Sequence, residues 1–453
     1  MNKVKNISAG TEENPGDYAV RPVPAGKRIG WGLQGLIWSG TMFCIPIFSI
    51  GGTMAASMDI VSFLAAVLLG SVVIALVGLL TGAIGARTHL TSGFNARFAL
   101  GVTGGKIFSL ILSVSLFGWF GYQCHDFAKS VVTSLAAFGF PDGSIALWTI
   151  LGGVLVIATA TAGFSGITSF SVLGVPLLIA LVLAAAFITA GQVDASALRA
   201  ASSAASGGMS LSTGITLVVS CYISGACITA DVSRFSKTQR DAFWGPFLGY
   251  MVVFPLAFLL GGFFQYAYGI SDICQVMFTY CGMALFVPFM LVVSIWAINN
   301  YNLYCAVLGI INTLDDHVKL PQWLVTLLVG VVSTLLGALG IMDALTPFLN
   351  LLGVLIPPVV AIIIADYHLY HRNSRLYSFE NADKLKNFRS STCLSAVAGI
   401  VVGLLCNYAN IPFLNALCSV FPACVLAMLS SVAVLVIYNA VTPSPDVDLN
   451  AAA

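Results

Sequence analysis

Trp119 stands in the run Phe117-Gly118-Trp119-Phe120-Gly121-Tyr122-Gln123, inside a long apolar stretch. Gln123 follows four residues later, and on a helix that spacing puts both side chains on one face. An aromatic plane beside a carboxamide suits a flat heterocycle: the ring stacks, while the amide both donates and accepts hydrogen bonds. The same pair also suits helix packing, with the amide satisfied by a neighbouring helix. A second aromatic, Tyr222, lies in Ser220-Cys221-Tyr222-Ile223-Ser224-Gly225, where it could form the opposite wall. The backbone around Cys221 and Ser224 would then offer polar groups. A third cluster is Trp296-Ala297-Ile298-Asn299-Asn300-Tyr301-Asn302-Leu303-Tyr304. Asparagines this dense are costly in hydrocarbon unless they face a cavity or one another. Asn299 and Asn302 share a face and are the two expected at a site; the remainder is expected to be structural.

Carboxylates in apolar runs are few. Asp126, beside His125, is the candidate for a proton-linked group, although Lys129 at i+3 could neutralise it in a purely structural ion pair. Asp231 and Asp366 lie at helix ends beside basic loops and are expected at the membrane interface. Eleven Cys occur, nearly all in apolar runs and none with metal-ligand spacing to a His, so they read as small buried hydrophobes. Cys274 and Cys281 lie near a loop and could pair. No nucleophile–base pair, zinc motif or phosphate loop appears, so no catalytic residue, metal or cofactor is expected and an enzyme has little support.

The elements that must hold these residues are set by composition. Apolar residues make up 58% of the 453, charged residues 8%, and mean hydropathy is +0.96. An ordinary soluble domain carries roughly a quarter charged residues. Nineteen Lys+Arg and 18 Asp+Glu could not cover a soluble surface, and a net charge of +1 offers no field for nucleic acid. Soluble enzymes, disordered scaffolds and nucleic-acid binders are excluded, leaving a polytopic membrane protein.

Stretches of about 20 apolar residues, the length that crosses a bilayer, occur twelve times: 29–54, 60–84, 106–136, 144–164, 168–190, 211–231, 242–269, 281–312, 321–340, 344–366, 391–409 and 414–440. Residues 1–28 and 441–453 are polar and read as tails in the cytoplasm; the first carries no signal-peptide pattern. With the amino terminus inside, 17 of the 19 Lys and Arg fall in inner segments, from Lys3, Lys5, Arg21, Lys27 and Arg28 to Lys319 and Arg389. Arg199 and Lys129 are the exceptions. An error of one span would scramble that bias, so it supports twelve spans with both termini cytoplasmic.

Two spans contain breakers near mid-depth. The first holds Cys44-Ile45-Pro46 and Gly51-Gly52, and the sixth holds Ser220 to Gly225. Breaks five spans apart suggest an inverted repeat, 29–190 and 211–366, with 391–440 as additional helices. Broken helices in such transporters expose backbone groups where substrate and cation bind. Gly and Pro also serve membrane-helix packing alone.

These segments resemble the nucleobase:cation symporter-1 family, which includes cytosine, hydantoin and fungal purine-cytosine permeases. The stretches that carry the resemblance are Ile50-Gly51-Gly52-Thr53, Gly118-Trp119-Phe120-Gly121, Ile223-Ser224-Gly225 leading to Thr229-Ala230-Asp231-Val232-Ser233-Arg234-Phe235, and Ile356-Pro357-Pro358 running to Ile364-Ala365-Asp366-Tyr367. The resemblance implies an all-α, leucine-transporter-like fold, five plus five helices in an inverted repeat with two more at the carboxyl end. It also implies that Trp119 stacks on substrate and Tyr222 lies across the ring. Gln123 is similar to the hydantoin-type arrangement, and Asn302 resembles an asparagine of the purine-cytosine permeases. Cytosine permeases place a Gln three residues before the Trp, where this chain has Leu116. Sodium-coupled members carry adjacent hydroxyls in the eighth span, where this chain has Ala297 and Ile298. Backbone near Gly40 and Phe43, with Ser294, is what remains for a cation, which favours proton over sodium.

The expectation is therefore a plasma-membrane symporter for a nucleobase, cytosine before purines, working by alternating access with H+ or Na+. Rival solutes are hydantoin, allantoin or a hydroxymethylpyrimidine; an amino-acid symporter would favour free helix ends over an aromatic sandwich. Rivals of another class are a passive channel, which should show a continuous polar stripe, and a non-transporting nutrient sensor.

Overall fold

The computed structural model describes residues 18–140, 143–161, 164–205, 207–314, 320–340, 345–372 and 375–442. The tails before residue 18 and after residue 442, and with them Lys3, Lys5 and Lys319, lie outside the described residues. Among the described residues the chain is all-helical without strands, apart from one isolated bridge between Ile29 and Ser236.

The chain enters α1 (Trp31–Met42), bends by 54°, and continues as α2 (Ile45–Ala55). Pro46 lies in the first turn of α2, where its missing N–H is no loss. Asp59 caps α3 (Ile60–Thr88) by accepting from the Val61 and Ser62 amides at 3.0 Å each, and the Ser62 amide leads in holding that carboxyl below its usual range. A short α4 (Ser92–Leu100), capped by Thr91, precedes α5 (Val102–Ala137), which carries Trp119. Then come α6 (Ile145–Ala160), α7 (Phe164–Gln192) and the amphipathic α8 (Ala195–Ala204). The second half runs through α9 (Leu211–Cys227), α10 (Thr229–Ser233), α11 (Gln239–Phe247) and α12 (Phe254–Tyr268), the last two joined by a π-helical turn between Pro246 and Pro255. It continues through α13 (Ile273–Thr279), α14 (Val287–Leu314), α15 (Gln322–Ala338) and α16 (Leu345–Ala365). It closes with α17 (Ser390–Tyr408), α18 (Pro412–Val420) and α19 (Ala423–Val441).

Among the described residues nine helices are long and apolar enough to cross a membrane, ten with α1 and α2 taken as one bent span, and α6 and α15 are shorter apolar helices. Their outward faces are apolar: Leu64, Leu68, Val72, Leu76 and Leu80 form one exposed stripe along α3, spaced by a turn. α14 packs along α5 at the centre, with α4, α6 and α15 around them. Close approach depends on missing side chains. A Cβ on Gly118 would stand 2.6 Å from the Phe348 ring, and one on Gly51 would strike the backbone of Phe258.

Two expectations are revised and a third is sharpened. The sixth span does not break at Ser220–Gly225; α9 runs through it and yields at Ile228, because the segment contains no Pro and Gly225 instead makes room for the Tyr222 ring. The last span starts at Ala423, since Pro422 ends the separate amphipathic turn of α18. Asp231 and Asp366 lie at helix ends as expected, and there they are buried in protein and bonded: Asp231 accepts from the Ser92 amide at 2.7 Å, and Asp366 from Arg389 and the Tyr377 hydroxyl at 2.8 Å each.

Candidate substrate-binding site

A narrow cavity with about 390 Å³ of atom-free space lies where the α1–α2 bend, α5, α9 and α14 converge. Its room for the centre of a water-sized sphere is about 20 Å³, the scale of one or two waters, so the walls stand close together. Trp119 and Gln123 of α5, Cys221, Tyr222 and Ser224 of α9, and Asn302 of α14 all line it. Six of the seven residues expected at the substrate site are thus brought together from three helices.

Each wall is fixed from behind. Trp119 stands edge-on to Tyr122 and Phe348, with centroids 5.7 and 5.8 Å away. Tyr222 packs on Phe254 at 5.2 Å, and its hydroxyl donates to Thr41 Oγ1 at 2.9 Å, tying α9 to α1. Its ring lies over Gly225, where any Cβ would collide with it. Ser224 shares a 2.6 Å hydroxyl bond with Ser115 of α5. Asn302 Nδ2 donates to Gln123 Oε1 at 3.2 Å. That leaves Gln123 Nε2 as a donor and Asn302 Oδ1 as an acceptor on two residues that line the cavity.

The seventh residue, Asn299, lies one layer back: it is fully buried and donates to the Phe120 carbonyl and Cys124 Sγ at 3.4 Å each. Asn300 faces the other way and accepts from Thr159 at 3.0 Å, a structural partner as expected for part of that cluster. Cys44, Pro46, Ile47, Leu116, Gly225, Ile298 and Tyr301 also line the cavity and were not anticipated as lining residues. Helical spacing carried the signal for two of them, since Leu116 precedes Trp119 by three and Ile298 precedes Asn302 by four.

At the bend, Ser294 Oγ of α14 accepts from the Ile45 amide at 2.9 Å, so this hydroxyl reaches the backbone freed by the break. Phe43 is the C-cap of α1 and Gly40 lies within its last turn, both buried. Asp126 is buried with Oδ2 lacking a hydrogen-bond partner, while Lys129 is exposed and forms no ion pair with it. All eleven Cys are free thiols, Cys274 and Cys281 included.

Bonded or packed segments lie at both ends of the helix bundle around the cavity. At the end where basic residues gather, Arg234 is fully buried; it donates to the Tyr18 carbonyl at 2.7 Å and the Tyr304 hydroxyl at 2.8 Å. Asn312 donates to Thr91 Oγ1 at 3.0 Å and to the Ala19 carbonyl at 3.3 Å, so residues 18 and 19 are laced across α4, α10 and α14. At the far end the segment leading into α13 covers α2 and α5.

Residues 22–436 match the family described as permease for cytosine/purines, uracil, thiamine, allantoin. The cytosine permease of Escherichia coli (strain K12) is 28% identical over 393 residues, covering 85% of this chain and 88% of that protein. The hydantoin permease of Microbacterium maritypicum is 24% identical over 396 residues, covering 82% and 79%. A nucleobase-cation-symport-1 family transporter solved in a closed conformation with bromovinylhydantoin bound superposes with a TM-score of 0.75 at 18% identity, over 96% of this chain and 98% of that one. A Na+-coupled sialic acid symporter shares the fold more distantly, with a TM-score of 0.66 at 14% identity over 92% and 91%. The chain, a multi-pass membrane protein, belongs to the nucleobase:cation symporter-1 family of cytosine/purine permeases.

Proposed function

We propose that this protein imports a nucleobase, cytosine before purines, across the plasma membrane by proton symport. The observation that carries the reading is the pair of amides beside two aromatic faces. Gln123 Nε2 and Asn302 Oδ1 offer one donor and one acceptor next to Trp119 and Tyr222. A planar ring whose edge carries an acceptor beside a donor, as the amidine and amide edges of nucleobases do, satisfies both at once. Leaving a buried amide unpaired costs roughly 1–3 kcal/mol, so the edge pattern sets selectivity.

In this reading the ten long spans and the shorter α6 and α15 make twelve, with both termini on the cytoplasmic side, supported by where Lys and Arg gather in the sequence. Transport proceeds by alternating access: the half containing α1–α3 and α9–α12 rocks against α5–α7 and α14–α15 about the cavity. The two C-terminal spans stand outside this five-plus-five repeat. Proton coupling is preferred because Ala297 and Ile298 bring no oxygen to the α1–α2 bend, and Ser294 Oγ there is engaged by the Ile45 amide. A hard cation such as sodium needs several oxygen ligands.

A second reading, a hydantoin or related ureide as substrate, is favoured by Gln123 four residues after Trp119 and by Leu116 in the cavity wall. The experiment is uptake of labelled cytosine into proteoliposomes, with competition by adenine, hypoxanthine, uracil, hydantoin, allantoin and a hydroxymethylpyrimidine. Saturable cytosine uptake that survives replacement of sodium by choline at fixed pH is expected. Competition led by hydantoin would move the substrate to the second reading, and complete loss in choline would overturn proton coupling.

A further inference from the structure

Asp126 lies three residues beyond Gln123 on α5, one helical turn from the cavity towards the far end. Its Oδ2 is buried without a hydrogen-bond partner. Above it sits the segment that leads into α13. Ser271 packs so closely on α2 that a Cβ at Gly52 would stand 2.5 Å from its own, and α13, which begins at Ile273, packs against α5. Residues Ser271 to Cys274 therefore form a lid resting on two helices at once. Between those contacts is Asp272, whose Oδ1 accepts from the Cys274 amide at 2.8 Å and the Gln275 amide at 3.4 Å.

The charges around Asp126 come from three elements. On α5 they are Tyr122, His125 (whose Nδ1 engages the Gly337 carbonyl at 2.9 Å) and the exposed Lys129. The lid contributes Asp272 and Cys274, and the α1–α2 bend contributes Cys44. Burial raises the Asp272 carboxyl above its usual range, opposed by the amides it caps and by Lys129. Seating the lid thus removes water from two neighbouring carboxyl groups, and an ionised pair there is repulsive as well as unsolvated.

We propose that Asp126 is a proton-binding site read by this lid: the Ser271–Cys274 segment seats across α2 and α5 when Asp126 is protonated and lifts when it is ionised. The proposal rests on the proton-coupled reading above and gives that coupling a location. The proton adds to a carboxylate oxygen from water on the far side while the lid is raised, forming an O–H bond and breaking no other bond of the protein. It returns to water once the cavity opens at the basic end. An ionised Asp126 then favours raising the lid again, which resets the carrier.

The lid carries its own reporter. Cys274 is 1% exposed when seated, and burial pushes its thiol well above the usual range, so it is inert until the lid lifts. The test is peptide-resolved alkylation of Cys274 by a membrane-impermeant maleimide, on the full-length protein in proteoliposomes without substrate. The pH is varied from mildly alkaline to mildly acidic. Asp126→Asn, a permanently neutral isostere, measured at each pH supplies the intrinsic pH dependence of the thiol. Wild type is expected to label several-fold faster than Asp126→Asn at alkaline pH and equally at acidic pH. Asp272→Asn, which removes the like charge, is expected to move the wild-type transition to lower pH, and it serves alone if Asp126→Asn does not fold. A rate ratio constant across pH, or a transition unmoved by Asp272→Asn, overturns the proposal. The readout needs no substrate, so a failed lid leaves cytosine uptake untouched, and failed cytosine uptake leaves the lid measurement standing.

Discussion

Asn302 Nδ2 donates to Gln123 Oε1 at 3.2 Å, joining α14 to α5 across the cavity wall. This bond fixes which way the Gln123 amide faces before any substrate arrives. A glutamine free to turn over would match either orientation of a donor–acceptor edge; one held by Asn302 matches a single orientation.

Asn302→Ala removes that hold and the acceptor together. Apparent affinity for the preferred nucleobase should fall by about tenfold, corresponding to about 1.4 kcal/mol. The ranking of competing bases should flatten at the same time, because Gln123 can then rotate. An unchanged ranking in competition uptake would show that the amide pair does not set selectivity.

Trp119 contributes a face held by edge contacts with Tyr122 and Phe348. Trp119→Ala should abolish uptake while the protein remains monodisperse in detergent, and Trp119→Phe should retain part of it. Normal uptake by the Ala variant would exclude stacking on this residue.

Tyr222→Phe keeps the ring but loses the 2.9 Å bond to Thr41. A neutral hydrogen bond contributes about 1 kcal/mol, so substrate affinity should weaken by roughly fivefold. Gly225→Ala keeps both residues yet drives a methyl into the ring, and should weaken binding more than Tyr222→Phe does. Binding titrations on the two variants distinguish the position of the ring from its hydroxyl.

His89 ends α3 in the left-handed region at φ 56, and its Nδ1 meets the Arg234 carbonyl at 2.9 Å. Burial, with Arg28 nearby, lowers its pKa below the usual 6.5 despite that bond. The unfolded chain then takes up the proton first, so stability is present above about 6.5 and declines as pH falls below it. Melting temperature in detergent should drop across that window. His89→Asn, which tolerates the same backbone region, should make the drop smaller.

Much of the site was legible before folding because it depends on one helix at a time. Leu116, Trp119 and Gln123 share a face of α5 by spacing alone, and Pro46, which suits the first turn of a helix better than its interior, marks where the first span restarts as α2. Asn299 was harder: it shares the face of Asn302, but whether the next layer is cavity or protein depends on Phe120 and Cys124 of α5. Gly225 likewise looked like a breaker, and only the Tyr222 ring lying over it shows that it serves packing.

Scarcity of charge, the length of the apolar runs and the placement of Lys and Arg made this a multi-pass membrane protein from sequence alone, since the bilayer tests each segment separately for length and polarity. Tertiary structure decided what required two distant segments to meet. It sank Asp231 and Asp366 into bonded positions, hung Arg234 between Tyr18 and Tyr304, and packed α13 against α5 and α2. Arg234 and Tyr18 are 216 positions apart and Asn312 and Ala19 are 293, and no local periodicity encodes such pairings. Chain spacing fixes the face a side chain shares; packing of the helices fixes its partner.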